Sequence, residues 1–287
     1  MAVYKQNYKS YQGPLTPARW RFLILPRYSF RAVFDSRLFV MFFVICFIAP
    51  VGAALIIYFK HNINALRAVK VPLDRMAPIN EWFFLGLFNI QNLFSFLLTA
   101  LVGPGLISPD LANNALPLYL CRPFSRAEYV LGKLSVLVTL LSLITWIPGL
   151  ALFGLQWSLE GNGWFSENLH IAGAIFLGSW IWILTISLLA LALSAWVKWK
   201  PVAGALLFGV FFGAAAFGQA INNILYTQWG NLINLGMVMH TVSVWLFLGT
   251  STNRSVPVWS AWLALAIACG FCVMLLARKI RACEVVR

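Results

Sequence analysis

The chain has 287 residues, of which 61% are hydrophobic and 10% charged. A soluble domain carries roughly 25% charged residues, so there is too little polar surface here to cover a globule in water. The composition excludes a soluble enzyme or binding module and points to an integral membrane protein. Backbone groups in lipid must be satisfied internally, which leaves helices or a closed barrel. The apolar runs are about 20 residues or longer, the length of a membrane helix rather than of a barrel strand.

The first 37 residues form a basic arm. From Pro17 to Phe34, Arg19, Arg21, Arg27 and Arg31 interleave with Trp20, Phe22, Leu23, Leu25, Phe30 and Phe34. This pattern predicts an amphipathic helix lying in the interface plane, with Arg19, Trp20, Arg27 and Arg31 at headgroup depth. Pro26 is expected to break it into two pieces. No small-residue cleavage site follows, so the arm does not read as a secretory signal.

Six spans follow in a single domain over 38–287, at about 38–59, 82–107, 130–155, 169–197, 201–222 and 258–277. With both termini on the cytoplasmic side, 16 of the 21 Lys and Arg fall inside, as the positive-inside rule requires. The net charge of +13 then gathers on one membrane face and suits anionic lipid headgroups. Nucleic acid is not needed to explain it. The apolar stretch from Leu232 to Gly249 would invert the last span if it crossed, so it reads as a re-entrant or interfacial hairpin on the outer side.

Within the spans, Asn89, Gln91 and Asn92 crowd the second helix, where amides either bond a neighbouring helix or line a wet path. Gly209 and Gly213 form a G-x-x-x-G in the fifth span, so that face is expected to meet another helix closely. Cys269 and Cys272 spell C-x-x-C inside an apolar helix, which reads as packing. Met237, Met239 and His240 could be imagined as a soft metal site, and packing is again the plainer reading. The chain has no phosphate-binding loop, no zinc-protease motif and no nucleophile elbow. No carboxylate lies mid-membrane, where an ion-coupled transporter holds one. The expectation is a chain with no catalytic residues, no metal and no cofactor of its own.

The polar interruption from Ser108 to Leu134 stands out in so apolar a chain. Ser108-Pro109-Asp110 has the form of a helix start, giving a short helix across the inner face, which Pro117 would kink or end. Ser125-Arg126-Ala127-Glu128 has the capping-box form S-x-x-E and is expected to open a helix running into the third span. Lys133 should snorkel toward the inner headgroups.

This segment, Asp110 followed by Leu118, Leu120, Arg122, Pro123, Ser125, Arg126, Glu128, Gly132 and Lys133, resembles the cytoplasmic segment between the second and third helices of ABC-2 type exporter permeases. The arm, the six spans and the outer hairpin resemble the layout of that family, so nearly the whole chain is covered. Asn113-Asn114, Pro117 and Cys121 depart from its usual pattern. The resemblance implies a permease subunit of a bacterial inner (plasma) membrane, paired with a second permease copy as a homo- or heterodimer. A separate cytoplasmic ABC ATPase would carry the ATP and Mg. Coupling to it would run through Asp110, Leu111, Leu116, Leu118, Arg122, Pro123, Phe124, Ser125, Arg126 and Glu128. The implied function is export of a lipidic or hydrophobic substrate; a non-transporting scaffold built on the same fold is the alternative.

Overall fold

A computed structural model describes residues 24–62, 78–115, 125–250 and 256–280. Arg19, Trp20, Leu116, Leu118, Arg122, Pro123 and Phe124, and the proposed turn at Pro117, lie outside the described residues. Within them the chain is all-helical. Six helices are long and apolar enough to cross a bilayer: Arg37–His61, Glu81–Ala112, Arg126–Glu160, Asn162–Trp196, Lys200–Leu225 and Val258–Lys279. This is the organisation of a multi-pass membrane protein.

The arm contributes helix α1, Ile24–Phe34, which buries Leu25 and Pro26 and leaves Arg27 and Arg31 exposed. Most of the piece expected before Pro26 lies outside the described residues. Pro26 lies in the first turn of the described helix, where a missing N–H costs little.

The first three spans are each interrupted, and each interruption lies just before a proline. The first consists of α2, Arg37–Ile45, and α3, Ile48–His61. Pro50 has no N–H for the carbonyl of Cys46, and the helix parts at Cys46-Phe47. The second consists of α4, Glu81–Val102, and α5, Pro104–Ala112, joined at Gly103. The third consists of α6, Arg126–Ile144, and α7, Trp146–Glu160. Here Pro148 leaves the carbonyl of Ile144 without its helical donor, and Thr145 adopts φ −107°, ψ −92°.

Helix α8, Asn162–Trp196, is unbroken over 35 residues, about 50 Å long. It touches α4 to α7, α9, α10 and α11, and 67% of its most apolar stretch is buried inside the molecule. Helix α9, Lys200–Leu225, lies at the other extreme, with 17% buried. The core therefore gathers around α8, and α9 presents most of its surface outward.

After α9 come a 3-10 turn, Trp229–Leu232, and α10, Leu235–Leu248. Fourteen residues reach about 21 Å, short of the hydrocarbon thickness of about 30 Å. Asn234 caps α10 by accepting from the amides of Gly236 and Met237. Its inner face, Val238, Met239, Val242, Val244 and Phe247, packs on α4, α8 and the last helix, α11, Val258–Lys279. The segment between the fifth and sixth spans is thus a turn and a short helix docked on the bundle.

Candidate functional site

The helix ends sort the charges. One end of the bundle carries Arg27, Arg31, Arg37, Arg126, Lys133, Lys198, Lys200, Arg278 and Lys279, and Lys60 is the one Lys or Arg among the described residues at the other. That opposite end is tied by His170 to Glu81 at 3.0 Å and His61 to Glu160 at 3.8 Å. At the basic end, the Lys279 ammonium sits 5.1 Å from the centre of the Trp196 ring.

The second span meets the third at this basic end. Asp110, on the last turn of α5, pairs with Lys133 at 2.9 Å, and Tyr129 donates its hydroxyl to the same carboxylate oxygen at 2.7 Å. Tyr129 and Lys133 lie one turn apart on α6 and therefore share a face. Both are buried, and the ammonium also stands 5.7 Å from the Tyr129 ring. The expectation that Lys133 snorkels to headgroups is overturned. A carboxylate within reach offers the ammonium a closer counter-ion than any phosphate, so the side chain turns inward.

The start of α6 is as the sequence implied. Ser125 accepts from the Glu128 amide at 3.2 Å, and the Glu128 carboxylate accepts from the Ser125 amide at 2.6 Å. Arg126 projects outward beside this capping box. The box caps α6, and the Asp110 contacts link it to α5.

The other half of the expected motif is different. Ser108 does not cap a helix. It is fully buried in the middle of α5, with its amide donating to Ser194 Oγ at 3.0 Å and its hydroxyl to the Ser194 carbonyl at 3.1 Å. Ser194 Oγ in turn donates to the Pro104 carbonyl at 3.2 Å. The helix start is Gly103-Pro104, because Pro104 breaks the second span and then serves as the first residue of α5. Asn113 and Asn114 end α5. Asn114 takes φ 51°, a left-handed conformation that Asn tolerates at helix C-termini. The Ala115 amide returns to the Asp110 carbonyl at 2.8 Å. Leu111 packs against the core from this last turn.

The three amides of α4 do not act together. Gln91 is buried and donates to the Cys46 carbonyl at 3.3 Å, the group that Pro50 deprives of its helical partner. Asn92 is part-buried and Asn89 exposed. The polar contact that crosses the core is one the sequence reading missed: Trp182 on α8 donates its indole N–H to Ser95 on α4, buried between the helices. A Ser one turn after Gln91, facing an apolar span that holds a Trp, was the available signal.

Gly209 and Gly213 have no atom of the described chain within 4 Å of where a Cβ would lie. The close approaches of α9 are made instead by Gly204, against the Ala100 carbonyl at 3.4 Å, and by Gly218, against the backbone of Gly230. The expected G-x-x-x-G contact is therefore not made within the described chain. Met239 points into the core while His240 is exposed, so these two do not converge. Cys272 is buried and Cys269 half-buried in α11, with Cys269 Sγ 3.6 Å from Thr185 Oγ1. No protein-family model and no curated protein matches the chain.

Proposed function

We propose that the chain is the membrane subunit of an ABC-2 type exporter. In this reading a cytoplasmic ABC ATPase binds the basic end, two permease copies form the path, and closure of the ATPases on ATP reaches the spans through residues 108–126 and the amino-terminal arm. The ATP and Mg belong to the ATPase chain, and this chain contributes no catalytic group. Supporting the reading is the corner between the second and third spans, where a capped helix and a buried Asp110–Tyr129–Lys133 triad join two spans at the basic end. A push on such a corner would be passed to both spans through the Asp110 contacts with Lys133 and Tyr129. The open glycine face of α9 offers a close-packing surface for the second copy.

Co-expression with candidate ABC ATPase subunits from the same source tests the proposal. The pair should co-purify, and Arg126→Glu, which alters an exposed residue at the corner, should cut ATP turnover by the complex while leaving the permease folded. Arg122→Glu is expected to behave alike. A chain that captures no ATPase, or a complex indifferent to both reversals, would rule it out.

A further inference from the structure

At the basic end a cavity of about 770 Å³ opens between α1, α2, the end of α4, α5 and the first residue of α9. Small-molecule sites span roughly 300–1,000 Å³, so this volume accommodates a ligand. Its walls have two characters. Leu25, Val33, Phe39, Leu101, Val102 and Leu106 form an apolar side, and Ser29, Ser36, Lys133, Lys200 and Asp110 supply polar groups.

The charges do not cancel. Lys133 and Asp110 neutralise one another at 2.9 Å. Lys200 has no acidic partner among the described residues, and its side chain lies along Gly105: a Cβ there would meet Lys200 Cε at 3.2 Å and Nζ at 3.4 Å. Glycine at 105 thus lets an ammonium lie over the helix and into the cavity, where it carries the excess positive charge.

We infer that this cavity holds one acidic phospholipid, with its phosphate at Lys200 and an acyl chain along the Phe39, Leu101 and Leu106 wall. Depth and charge together select this occupant. Helix α1 is amphipathic, with exposed Arg27 and Arg31 opposite buried Leu25, so it lies at headgroup level. The cavity beneath it is then continuous with the bilayer. A molecule entering from that side brings an apolar tail and a headgroup at the same height as Lys200. A zwitterionic lipid would fill the apolar wall and leave the Lys200 charge uncompensated.

The full-length chain in neutral detergent, titrated with phosphatidylglycerol or phosphatidylcholine and read by native mass spectrometry, tests this. Phosphatidylglycerol should be retained at least about fivefold better than phosphatidylcholine, the effect of one basic residue near a headgroup. Lys200→Gln should abolish that preference, while Lys198→Gln, two residues away and outside the cavity, should preserve it. Ala32→Phe, which fills the cavity and keeps Lys200, should reduce retention of both lipids, and glycerol phosphate should not compete. Equal retention of the two lipids, equal losses for Lys198→Gln and Lys200→Gln, or displacement by glycerol phosphate would each overturn the assignment.

Discussion

Asp110 and Lys133 are the residues on which the basic end turns. Both side chains are largely withdrawn from solvent, and removing one partner of a buried ion pair costs about 3–5 kcal/mol because the other charge is stranded. Lys133→Met is therefore expected to lower the thermal midpoint of the solubilised protein sharply. Asp110→Asn should do the same, although an Asn can still accept the Tyr129 hydroxyl. The double variant should recover most of the loss, since two neutral side chains leave nothing unpaired. A double variant as unstable as the worse single one would show that packing, not charge, holds the corner. Gln91 makes a smaller contribution of the same kind. Gln91→Leu removes the donor to the Cys46 carbonyl and should cost about 1–3 kcal/mol, the penalty of a buried unsatisfied acceptor, measured as a shift in the same unfolding midpoint.

Prolines set the shape of the elements. Pro50, Pro104 and Pro148 each interrupt a span that hydropathy reads as one run, because apolar composition registers how long a segment is and not where its hydrogen bonds fail. The prolines were in plain view, so the breaks were legible from elementary backbone chemistry even though span-counting passes over them. The same point explains Ser108. As a Ser-Pro-Asp string it imitates a helix start, but the preceding Pro104 had already begun that helix, which leaves Ser108 inside it and facing α8. For Ser125 the local signal is matched: its box partner Glu128 is three residues on, and the two bond reciprocally. Ser125→Ala is expected to cost about 1 kcal/mol, read as a lower unfolding midpoint, with faster amide exchange confined to the first turn of α6. Uniformly faster exchange along α6 would show that the cap supports more than its own turn.

For the molecule as a whole, the six spans and the short docked helix were legible because length and hydropathy decide them. Which spans are central was not. Helices α8 and α9 are similarly apolar, yet one is the hub and the other is peripheral. That difference depends on where small and polar residues meet across helices: Ser95 with Trp182, Ser108 with Ser194, Gly218 with Gly230. Such pairs are far apart in sequence and carry no periodic signature. The Gly218–Gly230 approach is backbone to backbone, so Gly218→Ala should force the 3-10 turn away from α9 and cost about 1–3 kcal/mol through overpacking. Gly209→Ala, on the open face, should leave the unfolding midpoint of the single chain unchanged. If the two substitutions were equally harmful in the isolated chain, the assignment of the faces would be wrong.

The Asp110–Lys133 pair has a consequence for how the chain is made. Both charges lie near the basic end of the bundle, and unpaired ionisable groups are costly wherever they face lipid, but the two residues belong to successive spans and emerge from the ribosome within 24 residues of one another. If they pair while both spans are still leaving the insertion machinery, neither meets lipid as a bare ion. The second and third spans are accordingly expected to enter as one hairpin, and a nascent chain halted before Lys133 should hold its second span in the membrane less firmly than one halted after it.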